Sequence, residues 1–196
     1  MKVVLATPHD YDVIANGELP MDQSERLFEF KPSNHPSVRT RCMVTFRPTG
    51  GDEWTGRFVG DYDEPPAISL VCSGAASDRA FVVCAGRAYY VDVGNPDRFE
   101  VVGCFPICST RVVPGARMIL LGSFTDLVAY GSNGLAWKAA GIVSDDLNIV
   151  EADEQTVTVE GADAASGRTI RLTIDLHTGK RGAPAPDSQE DSQGDG

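Results

Sequence analysis

This sequence has no long helical pattern, and no apolar run approaches the roughly 20 residues that cross a bilayer as a helix. A membrane partner is therefore not expected. Cations are scarce, 17 Lys and Arg against 28 Asp and Glu, giving a net charge of −11. No Lys/Arg cluster with interleaved aromatics offsets this. An acidic surface repels phosphate backbones, which argues against nucleic acid and makes a basic protein the better partner. Histidine is limited to His9, His35 and His177, none paired at ligand spacing, so no metal or other cofactor is expected. There is no phosphate-binding Gly-x-x-x-x-Gly-Lys loop, no Gly-x-Gly-x-x-Gly opening a helix, and no serine on a glycine-flanked elbow. These absences do not exclude general acid–base chemistry in a cleft, which needs only a desolvated carboxylate.

The opening MKVVLATPHDYDV carries one lysine and a brief apolar run before Pro8, too short for a signal-peptide core. With no such signal, Cys42, Cys72, Cys84, Cys104 and Cys108 read as reduced thiols, which their odd number suits, and the expected setting is cytoplasmic. Cys104-Phe-Pro-Ile-Cys108 is the one close pair, with a spacer one residue longer than that of a thioredoxin-like motif.

Glycine and proline are plentiful, at 20 and 12 residues, as many short strands and turns require. The clearest stretch is RMILLGSFTDLVAYGSNGLAWKAA, residues 117–140. Three apolar runs are separated by Gly-Ser-Phe-Thr-Asp and Gly131-Ser132-Asn133-Gly134, and the second separator predicts a tight hairpin with positive φ at its Asn-Gly. Earlier, Val38, Thr40, Cys42, Val44 and Phe46 alternate with polar residues as a half-exposed strand does, and residues 54–59 return as its hairpin partner. Residues 68–72, 80–85, 88–93 and 99–102 read as four further strands. Residues 21–30 fit either a helical turn or a strand. Asp61-Tyr-Asp-Glu-Pro-Pro66 reads as a solvated turn, since it lacks the glycine-centred spacing of a calcium loop. Carboxylate pairs such as Asp145-Asp146 and Asp153-Glu154 read as turn formers.

The chain also echoes itself. Val82 lies 46 positions before Val128, and Tyr90 lies 47 before Trp137; the one-residue difference fits an added residue near the Ser-Asn-Gly turn. A fainter copy runs through residues 147–150, 156–160 and 168–176, closed by His177-Thr-Gly-Lys180. A repeat of roughly 45–50 residues with four short strands is a propeller-blade period. Through FVVCAGRAYYVDV, LVAYGSNGLAWKAA and TIRLTIDLHTGK the chain resembles the β-propeller repeat proteins over about half its length, without a Trp-Asp or kelch signature. The resemblance implies an all-β fold of antiparallel sheets built from repeated hairpins, a small or partial propeller of at most about four blades. A β-sandwich made from the same hairpins is the alternative.

We expect one all-β domain over residues 1–182 and a disordered acidic tail over residues 183–196, whose proline, serine, glycine and acid cannot bury a core. The expected function is a non-enzymatic protein-interaction module with a protein partner, basic in the favoured version. An intracellular antidote of the immunity-protein type is one form of it. Candidate interface residues are Trp54, Tyr62 and Tyr89 with Asp61, Asp63 and Glu64; Tyr89 is adjacent to Tyr90, so one of the two should face outward. The alternative is a small-molecule enzyme or ligand-binding protein with a pocket at the strand ends.

Overall fold

A computed structural model of the chain describes residues 1–16, 26–32, 40–62 and 64–182. These residues contain sixteen strands and no helix. In chain order the strands are β1 (Lys2–Val4), β2 (Tyr11–Asn16), β3 (Arg26–Phe30), β4 (Thr40–Pro48), β5 (Trp54–Gly60), β6 (Leu70–Ser73), β7 (Arg79–Cys84) and β8 (Arg87–Asp92). They continue as β9 (Phe99–Val101), β10 (Ser109–Val113), β11 (Met118–Gly122), β12 (Leu127–Gly131), β13 (Gly134–Ala139), β14 (Asp145–Ala152), β15 (Thr156–Asp163) and β16 (Arg168–Asp175). Four sheets result, ordered β2-β4-β5-β3, β1-β6-β7-β8-β9, β10-β11-β12-β13 and β14-β15-β16. Pairing is antiparallel except at two edges, where β3 joins β5 and β1 joins β6 in parallel. Of the 21–30 stretch, residues 26–30 are strand and residues 21–25 lie outside the described residues, and β10 is an additional strand.

The sheets stack face to face with three apolar layers between them. Phe46, Trp54 and Phe58 of the first sheet meet Val82, Tyr89 and Val91 of the second. The other face of the second sheet carries Phe81, Val83 and Tyr90 against Ile119, Leu121, Val128 and Tyr130 of the third. The reverse of the third sheet carries Leu120, Leu127 and Trp137 against Leu147, Val157, Leu172 and Ile174 of the fourth. This is a blade-like, unclosed stack of four sheets in place of a two-sheet sandwich. Strands covered on both faces need apolar residues at every position, which is why RAFVVC, MILLG and LVAYG are continuous runs. Among the described residues the fourth sheet is covered on one face only. Its β16 alternates, and on the exposed side Arg171 pairs with Glu151 at 3.1 Å and Glu160 at 3.8 Å. That one-sided burial, and a sheet of three strands among the described residues, made the last repeat faint in the sequence.

The echoed positions keep their faces. Val82 and Val128 both point toward the preceding sheet, while Tyr90 and Trp137 both point toward the following one. The extra residue is absorbed by a register shift opposite Ala129 and Tyr130. The turn itself differs from expectation: Gly134 takes the positive φ, 100°, and Asn133 does not share it. The matching turn of the second sheet does use two successive positive φ values, at Ala85 and Gly86. Aspartate shapes the turns of the fourth sheet. Asp153, Asp163 and Asp175 each accept from backbone and hydroxyl groups up to three residues on, which holds their carboxyls below the usual range.

Burial raises the phenol groups of Tyr11, Tyr89 and Tyr130 well above their ordinary value near 10. For Tyr130 desolvation comes first, followed by the bond its O–H donates to Glu100 Oε1 at 2.6 Å. The folded state therefore holds these protons more tightly than the unfolded chain. Their contribution to stability is complete below about pH 10 and drains away as pH rises further. A urea midpoint that is flat to about pH 9.5 and falls above about pH 10 is expected, with a shallower fall in Tyr130→Phe. An unchanged slope in that variant would refute the assignment of this pH dependence to Tyr130.

Candidate interaction surface

Three loops meet at one end of the second and third sheets: the segment after β5, the connection from β9 to β10, and the turn between β11 and β12. Their centre is the tight turn that follows β7. The Tyr62 N–H donates to Ala85 O (3.1 Å), Ala85 N–H to Ser69 Oγ (2.9 Å) and Gly86 N–H to Ile68 O (3.1 Å). Ile107 N–H donates to Gly86 O at 2.7 Å, and Ile68 N–H to Ile107 O at 3.1 Å. Gly60 and Gly86 allow this close approach: a Cβ on Gly60 would lie 2.3 Å from Cys84 O, and one on Gly86 would lie 2.9 Å from Pro106.

Arg87 follows directly. Its Nη2 meets Asp61 Oδ2 at 2.8 Å, with both side chains mostly buried, and its guanidinium lies over the Phe105 ring, 3.7 Å from the centroid. Tyr62 stands edge-on to Phe105 (6.3 Å) and to Phe124 (5.9 Å), so three rings from three loops share one patch. Phe105 is 38% exposed, and Tyr62 and Phe124 are half-buried. A buried ion pair adds little net stability, because both charges lose their hydration.

The patch is rimmed by acid. Glu64 is exposed on the Tyr62 loop. On the other side the Leu147 N–H donates to Phe124 O at 3.0 Å, which brings exposed Asp145 and Asp146 alongside. Burial and then the charges of Cys104, Asp145 and Asp146 push the Cys108 thiol up to about 11. Among the described residues no cation forms an ion pair with Glu64, Asp145 or Asp146, whereas Asp126 nearby is bonded to Lys138 at 3.2 Å.

Asp61, Tyr62 and Glu64 are therefore brought together, and Asp63 lies outside the described residues, as do His35 and residues 183–196. Trp54 and Tyr89 are corrections: they are 1% and 0% exposed and belong to the core. Tyr89 and Tyr90 do point to opposite faces of β8, but both faces are covered by a neighbouring sheet, so neither is free. Arg87, Phe105 and Phe124 are further contributors, brought in from other loops by the fold. The available signal was an aromatic residue inside a Gly/Ser/Pro turn, where no core asks for one.

The cysteines are corrected too. Cys42 and Cys84 form a disulfide between β4 and β7, with Cα atoms 5.8 Å apart. The reduced-thiol expectation holds only for Cys72, Cys104 and Cys108, and the support it lent to a cytoplasmic setting is removed. Among the described residues there is no group of three or more His, Cys, Asp or Glu placed to hold a metal ion, and no helix long and apolar enough to cross a membrane.

At the opposite end of the same two sheets is an open cleft of about 470 Å³, lined by Arg79, Tyr90, Arg98, Phe99, Glu100 and Asn133 among others. Arg79 is already bound to Asp92 at 3.1 Å, and Glu100 accepts the Tyr130 hydroxyl.

No family model matches the sequence, and no curated protein does. Among solved structures, the crystal structure of the N-terminal domain of Nup159 is similar at 12% identity and a TM-score of 0.43. The aligned region covers 94% of this chain and 53% of that one, so the present chain spans about half its length.

Proposed function

We propose that this chain is a non-enzymatic protein-interaction module, with residues 1–182 as its working unit, and that the aromatic loop patch receives a basic segment of a partner protein. The observation that carries this reading is the convergence of Tyr62, Phe105 and Phe124 on the Arg87–Asp61 pair inside a rim of unpaired carboxylates. Lysine and arginine side chains bind to aromatic faces, and an acidic rim steers them there. Aromatic anchors at the centre of a patch carry most of an interface's energy, about 2 kcal/mol or more each.

Octalysine is a suitable probe. Its affinity, measured by calorimetry, should fall with salt and drop at least about tenfold in Tyr62→Ala/Phe105→Ala, while the melting temperature moves by only a few degrees. Equal affinity in the double variant would mean that peptide binding is diffuse attraction to an acidic surface, and would sink the patch as the site. The cleft at the other strand ends favours a second reading, a small-ligand site. A metabolite retained in native mass spectrometry and released by Arg98→Ala would support that reading.

A further inference from the structure

We propose that the Cys42–Cys84 disulfide is a thiol-operated clamp on the aromatic loop patch; the ligand arm of this inference rests on the patch reading above. Its position is the reason. Cys84 is the last residue of β7 and immediately precedes Ala85, Gly86 and Arg87, the segment to which the loops of Tyr62 and Phe105 are hydrogen-bonded and on which the Asp61 ion pair is built. Cys42 lies on β4, in a different sheet. The bond therefore fastens the centre of the patch to the first sheet, across the same seam where Gly60 sits against Cys84 O.

Access is one-sided. Cys84 is fully buried and Cys42 half-buried, so a dithiol reductant would attack Cys42 Sγ. A mixed disulfide then forms at Cys42, and Cys84 leaves as a thiolate that takes up a proton. The second thiol of the reductant displaces Cys42, closing the reductant's own disulfide and leaving two protein thiols. Two electrons enter the protein and the dithiol is oxidised. The freed Cys84 thiol has an acceptor ready, Phe58 O, at 3.4 Å. The three remaining cysteines are poor substitutes: burial pushes Cys72 up to about 12 and the half-buried Cys108 up to about 11, and it raises Cys104.

The test compares the full chain before and after dithiothreitol. Thiol titration in denaturant should count three thiols in the oxidised protein and five after reduction. Amide exchange at Tyr62, Ile68 and Gly86 should become at least about tenfold faster on reduction, and octalysine affinity should fall about fivefold or more. Cys42→Ala/Cys84→Ala should behave as the reduced protein and ignore dithiothreitol, whereas Cys108→Ser should respond as wild type does. Five thiols in the air-oxidised protein, or exchange at those amides unmoved by reduction, would overturn the clamp. If the oxidised protein fails to bind octalysine, the patch reading is lost while the exchange measurement still decides the clamp.

Discussion

Trp54→Ala is expected to lower the stability of the fold by about 3–5 kcal/mol, the range for truncating a large aromatic in a packed core. Trp54 is 1% exposed, stacked on Phe46 at 4.6 Å and set edge-on to Phe28 at 5.5 Å, with Phe30 at 5.9 Å. Its removal opens a cavity in the layer between the first two sheets. It also strands an acceptor, because the indole N–H donates to Val93 O at 2.9 Å, just past the end of β8. Trp54→Phe separates the two contributions: it keeps most of the ring and loses the donor, and should cost about 1–3 kcal/mol. Urea unfolding of both variants measures this, and a loss below about 1.5 kcal/mol for the alanine variant would show that the first sheet adds little to the cooperative core. Trp137 provides a comparison. Its N–H reaches Leu176 O at 2.7 Å, again 39 residues ahead and just past the last strand of the next sheet, but it is 8% exposed. The same tie thus closes the first sheet on the second and the third on the fourth. Trp137→Ala should fall in the lower part of the same range.

That repeated tie shows what the sequence could reveal. Strand positions were legible because apolar runs and Gly/Asn/Asp turns are local signals, and the echo between Val82 and Val128 or Tyr90 and Trp137 survived because each pair faces the same way in successive sheets. Which strand joins which sheet was not legible. β1 and β3 add to their sheets in parallel, far along the chain from their partners, and no local pattern encodes that. Burial was misjudged at Tyr89 for a related reason: alternation predicts which face a residue takes, and only the stacking of sheets decides whether that face meets water. The patch was half visible. Asp61, Tyr62 and Glu64 are neighbours in sequence, whereas Phe105, Phe124 and Arg87 come from other loops and meet them through the hydrogen bonds around Gly86, the Arg87–Asp61 pair and the ring contacts of Tyr62. The disulfide was hidden in the same way, since its cysteines are 42 positions apart on strands of different sheets.

Reducing that disulfide should cost about 2–4 kcal/mol of stability, apart from any effect on binding. The bond closes a loop of 42 residues that includes β5 and β6, and cutting it returns the loop-closure entropy to the unfolded chain. The native state offers little to offset this. Cys84 is enclosed by the layer that holds Phe58 and Tyr89, so the two sheets cannot part without exposing that layer to water. The loss should accordingly appear in the equilibrium between folded and unfolded chains, with the sheets still stacked in the folded one. Urea unfolding with and without dithiothreitol should show a lower midpoint on reduction. The slope should be larger for the reduced chain, because an unfolded state freed of the cross-link exposes more surface. A midpoint that does not move would mean that the packing between the first two sheets and the Trp54–Val93 bond hold them together without the cross-link, and that the bond does not restrict the unfolded chain.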